Sequence, residues 1–488
     1  MTWLHLLPLL LAGLAPPPKL KLESHTLRAF DGRTRSVELG RLSVPGDRAK
    51  TSSRIEVGFY RYRSKTEKPG SPIVFLMGGP GIAGTLMAQV PPYFTLFDRL
   101  SERTDVIVLD QRGLGTGSPR LDCPPPAVPP SADLLLDNKR FLGAFQTLTS
   151  ACAGYWRDRD VELGAYSVQA VAEDLEDLRV ALGAEQLDLL AFSYGTRIGL
   201  EFIRRHPRSV HRAVLQGTNG PDHAVKLPAD FEALFGRVAE LAAEQAEAKR
   251  LSQDLKGAFQ ATLRMLEQKP LMAPVRNRTG QTVQIQVGKQ GFASLVALKL
   301  GDNRLPALIT LVQDGEVSVL APLVQAFYQD LEAGGTSLMG RLLVCSAPAS
   351  PSRAELAQRQ ATNSPFGELI DNLVQAESFC RAIGAPPPAP GALAPIRGTI
   401  PTLFITGTLD DRTPVRNAEE IRQSFPTSVH LVVENGGHEL LSVDGVQEVV
   451  ADFFAGRDVS KSRLALPKPV FESPEEAAKP RSGPPGRR

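Results

Sequence analysis

The sequence predicts an α/β fold, a mostly parallel sheet with crossover helices into which a helical domain is inserted. Three observations predict it. Short apolar runs alternate with stretches of helical periodicity up to about residue 218, the alternation stops over residues 219–397, and it resumes from residue 398. Parallel strands need a long crossover connection, usually a helix, so the alternation itself signals the sheet.

In chain order, RSVELGRLSVP and SRIEVGFYRYRS alternate apolar and polar residues and read as antiparallel strands. PIVFLMGGPG and TDVIVLDQRGLG are short buried strands running into glycine loops. VQAVAEDLEDLRVALGAEQ then repeats apolar residues at helical spacing, LDLLAFS is a strand, YGTRIGLEFIRRHP a helix and VHRAVLQGT a strand. Long helical stretches follow, closed by the proline-rich GAPPPAPGALAPIRG, before strand TLFITG, helix VRNAEEIRQSF, strand VHLVVENGG and helix DGVQEVVADFFAG. The core is thus expected over residues 27–218 and 398–460, a helical cap over 219–397, and a disordered tail, rich in proline and charge, over 461–488. No internal repeat is present.

Composition narrows the function classes. A chain of 488 residues with 42% hydrophobic and 22% charged residues has ample material for a core, and a net charge of +2 without a basic stripe excludes a nucleic-acid binder. The first 15 residues form an apolar stretch too short to span a bilayer and ending in small residues, which resembles a secretory signal. No other segment is apolar for long enough to cross a membrane, so a mature protein without stable membrane insertion, secreted or periplasmic, is expected; its oligomeric state is left open. The four cysteines allow three connectivities, and Cys123 with Cys152 and Cys345 with Cys380 are close in sequence. Local pairing closes two loops, each worth roughly 3 to 4 kcal/mol in chain entropy. The alternative is four reduced, buried thiols.

The chemistry centres on LLAFSYGTRIGLEFIRRHP, in which Ser193 falls where a buried strand gives way to a helix, between the small residues Ala191 and Gly195. A residue at so sharp a turn is held exposed above the sheet, and the helix dipole and the Tyr194 N–H favour negative charge beside it. A serine nucleophile needs a base, and the base needs an acid to orient it, in this architecture in the order Ser, acid, His. Of the two histidines beyond the resumed sheet, His430 opens a strand, whereas His438 follows that strand in the loop ENGGHELL, where an imidazole reaches back across the sheet edge. The acid comes from TLFITGTLDDRTP, as Asp410 or Asp411.

MGGPG (Met77 to Gly81), DQRGLGTGS (Asp110 to Ser118), FSYGTR (Phe192 to Arg197), GTLDDRTP (Gly407 to Pro414) and GGH (Gly436 to His438) together resemble the prolyl aminopeptidase and tripeptidyl aminopeptidase group of α/β-hydrolases. The resemblance runs from about Ser36 to Gly456 and implies the α/β-hydrolase fold with an inserted helical cap. It assigns Asp410 as the acid, with Asp411 in reserve, and makes a backbone N–H of Gly78 or Gly79 the second oxyanion donor beside Tyr194. Asp110 and Arg112 are expected to brace their loop. Two departures bear on substrate: Met77 stands where prolyl aminopeptidases usually carry a histidine, and no acid follows Cys345 until Glu355. A cationic substrate terminus needs a carboxylate partner, and Asp302, Asp314, Glu316, Glu368, Asp371 and Glu377 are the cap candidates.

The expectation is therefore an exported serine hydrolase, an aminopeptidase releasing short N-terminal units from peptides with a free N-terminus through a Ser-His-Asp triad and an acyl-enzyme. A carboxylester hydrolase would use the same triad without an amine-binding carboxylate, and a non-catalytic binding protein would have no need of all three triad residues. No metal or other cofactor is implied: H-E-x-x-H and clustered Cys/His spacings are missing, and GLGTG lacks the full dinucleotide fingerprint.

Overall fold

The computed structural model describes residues 19–48, 53–245, 254–335 and 337–477. The leader reading of residues 1–15 lies outside them, as does the end of the tail. Ten strands form one sheet: β1 (Lys19–Arg28), β2 (Thr34–Pro45), β3 (Arg54–Tyr62), β4 (Ile73–Leu76), β5 (Val106–Leu109), β6 (Leu187–Phe192), β7 (Val210–Gln216), then, after a separate hairpin of β8 (Leu271–Arg276) and β9 (Thr282–Val287), β10 (Thr402–Gly407), β11 (Ser428–Glu434) and β12 (Leu464–Ala465). Their order is β1-β2-β3-β5-β4-β6-β7-β10-β11-β12. β1 to β3 are antiparallel to their neighbours, and every pairing from β5 to β12 is parallel.

β4, β5 and β6 are buried at every position, which is why they read as unbroken apolar runs rather than alternations. One face of the sheet packs on helices Val168–Ala181 and Tyr194–Arg205, the other on helices Pro91–Leu100 and Asp444–Phe454. From β4 the chain crosses to β5 on one side and returns to β6 on the other. Loops leaving β4 and β6 therefore diverge, opening a crevice at their C-terminal ends.

The structure corrects three boundaries. β1 begins at Lys19, ahead of the expected core start, because it pairs along its whole length with β2. The cap is neither purely helical nor confined to residues 219–397: it contains the β8–β9 hairpin, and Leu134, Leu135, Phe141 and Phe145, from before β6, belong to its apolar core. Phe141 stacks on Phe327 and Phe145 on Phe379, each pair with centroids 5.7 Å apart. Conversely, helix Leu338–Ser346 from the insertion packs Leu338, Met339 and Leu342 with the sheet-facing cluster. The tail from residue 461 is not disordered through Ala477. β12 pairs with β11, Gln245 bonds Pro469 O and Phe471 N at 2.7 and 3.0 Å, and Phe471 is buried in the cap core, an apolar anchor that overcomes the polar composition around it.

Two disulfides are present, Cys123–Cys152 and Cys345–Cys380. The first ties the loop after β5 to helix Asn138–Arg157, and the second joins helices Leu338–Ser346 and Glu377–Ala382. Among the described residues no helix is long and apolar enough to cross a membrane.

Candidate active site

Ser193 links β6 to helix Tyr194–Arg205 with φ 54° and ψ −125°, a conformation costly for a residue with a side chain. Backbone bonds hold it there. Ser193 N donates to Gln216 O on β7 at 2.8 Å, Ser193 O accepts from Thr196 N and Oγ1 at 2.9 and 2.6 Å, and Thr196 Oγ1 accepts from Asn219 N at 2.7 Å. Gly195 permits the turn to close: a Cβ there would lie 2.0 Å from Leu76 O at the end of β4.

His438 stands in the loop after β11 with Nε2 3.0 Å from Ser193 Oγ and Nδ1 2.9 Å from each oxygen of Asp410. An ionised carboxylate only accepts, so the proton sits on Nδ1 and Nε2 accepts from the serine hydroxyl. The acid loop and the histidine loop are joined directly, Leu409 N donating to Gly436 O at 2.8 Å, and Gln216 Nε2 holds His438 O at 2.9 Å.

Asp410 is buried, and it accepts from Arg412 N, Thr413 N and Thr413 Oγ1, each at 2.8 Å. Burial pushes its carboxyl pKa up, but the His438 charge and these hydrogen bonds outweigh that and leave it below the usual value. Burial likewise pushes His438 down, and the Asp410 carboxylate reverses the shift, leaving the imidazole above its ordinary value of 6.5. Asp411 acts on His438 only through its charge, its carboxylate lying 3.6 Å from Arg412 Nε.

Tyr194, the first residue of its helix, has an N–H without an intrahelical partner. Gly78 is pressed against the same spot: a Cβ on it would lie 2.8 Å from Tyr194 N and 2.7 Å from Ser193 Cβ. Gln111 Nε2 donates to Met77 O at 2.7 Å and pins this loop, while Gly79 continues it at φ 114°. Helix Leu338–Ser346 rests on the next turn, where a Cβ on Gly340 would meet Pro80 O at 2.6 Å. Asp110 accepts from Thr85 and Thr116, and the buried Arg112 binds Asp174 through Nε at 2.7 Å and Nη2 at 2.5 Å; both brace loops and neither reaches Ser193.

His430 takes no part in the site. Its Nε2 contacts Thr406 Oγ1 on β10, and burial pushes its pKa down to about 4. Of the cap acids, Asp302 is held by Arg304 at 2.8 and 3.0 Å, Glu377 pairs with Arg381, and Asp314, Glu316 and Glu368 are exposed. Asp371 differs. Burial lowers the pKa of Lys226 and of Arg341, and the Asp371 charge opposes both shifts, while Lys226 also feels Asp410 and donates to Arg412 O at 2.8 Å.

Sequence reasoning missed Thr413, whose Oγ1 bonds Asp410 and lies 3.2 Å from His438 Nδ1. Its place three residues after Asp410, as a turn-stabilising hydroxyl, is the signal that could have found it. Thr413→Val is expected to lower kcat about tenfold to a hundredfold with KM unchanged, the cost of one hydrogen bond to a charged group. Steady-state kinetics check this, and Thr413→Ser should restore the rate.

Residues 71–444 match the family model described as the alpha/beta hydrolase fold. Over 192 residues the chain is 29% identical to the serine protease Hip1 of Mycobacterium tuberculosis, a match covering 38% of this chain and 36% of that one. A tripeptidyl aminopeptidase of Streptomyces lividans is 27% identical over 194 residues, again 38% and 36% of the two chains. A probable proline iminopeptidase of Streptomyces coelicolor is 28% identical over 148 residues, 30% of this chain and 33% of that one. The chain thus spans about a third of the length of the curated relatives it matches. Among solved structures, a thermophilic esterase from Thermogutta terrifontis aligns with a TM-score of 0.37 at 15% identity, covering 85% of this chain and 98% of that one.

Proposed function

The chain belongs to the alpha/beta hydrolase fold family, and from that premise we propose that it is a serine hydrolase, an exported aminopeptidase acting through Ser193, His438 and Asp410. The observation that carries the reading is the continuous hydrogen-bonded chain from Ser193 Oγ through both ring nitrogens of His438 to Asp410. Ser193 attacks the scissile carbonyl while His438 takes its proton. The oxyanion develops beside Tyr194 N and the Gly78–Gly79 loop, and His438 returns the proton to the leaving amine. Water then releases the acyl-enzyme by the same path in reverse. The two disulfides support a secreted or periplasmic location, since reducing compartments keep thiols apart.

The aminopeptidase reading adds a partner for the substrate's charged amine. Asp371 supports it, as the cap carboxylate whose charge reaches groups that border the triad. Kinetics on a free tripeptide amide, its N-acetylated form and simple esters test this. Acetylation is expected to lower kcat/KM by roughly two orders of magnitude in the wild type, as a carboxylate loses its ionic partner. Asp371→Asn should slow the free peptide and leave the acetylated one unchanged, erasing the preference. Equal rates on both peptides together with faster ester cleavage would replace the aminopeptidase by a carboxylester hydrolase and leave the triad standing.

A further inference from the structure

A second cavity lies on the far side of the triad acid, with a volume of about 280 Å³. Asp410 and Asp411 form part of its wall, but Ser193 and His438 do not, so it is separate from the crevice where acyl transfer would occur. Its lining carries five cationic side chains against three carboxylates. The acids have other duties. Asp410 is committed to His438, Asp230 lies 3.0 Å from Arg416 Nη2, and Asp411 faces Arg412.

The cations here act on one another as well as on nearby carboxylates. Burial and the Arg416 charge lower the pKa of Arg353, against Glu420, Asp230 and Asp222; Lys226, lowered by burial, is pulled up by Asp371 and Asp410 and down by Arg412 and Arg353. Like charges held around a common space favour an anion between them. The first turn of helix Val415–Arg422 lines the same cavity and adds its positive dipole end. Two buried polar atoms in this wall have no partner: Arg416 Nε, a donor, and Oδ1 of Asn417, an acceptor on a residue only 2% exposed. The unmet donor suits an oxyanion, and the unmet acceptor suits a ligand that also carries an acidic or hydroxyl proton.

We propose that this cavity is a binding site for a small hydroxyl-bearing oxyanion, of the hydrogen phosphate or hydroxycarboxylate class, held by Arg353, Arg412, Arg416 and Lys226 with its proton on Asn417. The guanidinium groups supply the forked donors that both anion types accept. The site stands independently of the aminopeptidase reading, because Asp410 is only part of its wall and the side chains that would hold the anion, Arg353, Arg412, Arg416, Lys226 and Asn417, take no part in acyl transfer.

Calorimetric titration of the whole protein with inorganic phosphate, citrate and, as a neutral control, glycerol tests it. Saturable binding of phosphate or citrate is expected, the stronger of the two identifying the source, with none for glycerol. Arg353→Met should raise the anion Kd at least about tenfold while its circular dichroism matches that of the wild type. Arg416→Met should weaken binding similarly. Ser193→Ala should bind the anion unchanged, which separates this site from the catalytic crevice. Absence of saturable binding for both anions, or binding indifferent to both arginine substitutions, would overturn the proposal.

Discussion

Replacing Ser193 by alanine is expected to abolish hydrolysis, by about six orders of magnitude in kcat on the scale set by other serine hydrolases. Without Oγ nothing can form the acyl-enzyme, and His438 alone activates water poorly. The protein should still fold. The bonds that hold the turn use the backbone N and O of Ser193, so the alanine keeps the contacts to Gln216 and Thr196 and loses only the hydrogen bond to His438. An organophosphorus serine probe should label the wild type at Ser193, read by peptide mass mapping, and leave the variant unlabelled with its circular dichroism unchanged. Labelling that persists at another serine would remove Ser193 from its role.

Asp410→Asn is expected to cost about four orders of magnitude in kcat, because an amide facing His438 Nδ1 favours the wrong tautomer and turns Nε2 from acceptor to donor. Asp411→Asn should cost little, since that carboxylate makes no hydrogen bond to the imidazole. The pH profile supplies a second readout. The base must be neutral, and Asp410 raises the His438 pKa, so the wild-type acid limb of kcat/KM should lie above 6.5. Removing the charge favours the neutral imidazole, and the residual activity of Asp410→Asn should have its acid limb at lower pH. A severe loss in Asp411→Asn with a mild one in Asp410→Asn would move the acid by one residue.

Residues that act through neighbours close in sequence, or through strand order, were legible. Ser193 could be read because its presentation depends on a strand ending and a helix beginning within a few residues, and Gly195 marks the close approach of β4. Pairing Asp410 with His438 needed more than spacing: the resemblance chose between two adjacent aspartates, and the geometry places both oxygens of one of them 2.9 Å from the imidazole. Asp371 was one of six equal candidates, since nothing in the sequence of a cap helix shows which carboxylate comes to lie near Lys226 and Arg341.

By itself, the sequence determined the periodic elements, their α/β class, the interruption by an insertion and the order in which Ser193, Asp410 and His438 leave the sheet, because each rests on local backbone preference or on chain order. Tertiary structure alone decided where the cap's core begins, that the tail is anchored by Phe471, that Thr413 and Gln216 hold Asp410 and His438, and that cations meet in a cavity behind Asp410. These depend on contacts between residues far apart in the chain, such as Leu135 with Val287 and Gln245 with Phe471. Burial and hydrogen bonding across such distances follow from how the whole chain packs, and no local pattern encodes them.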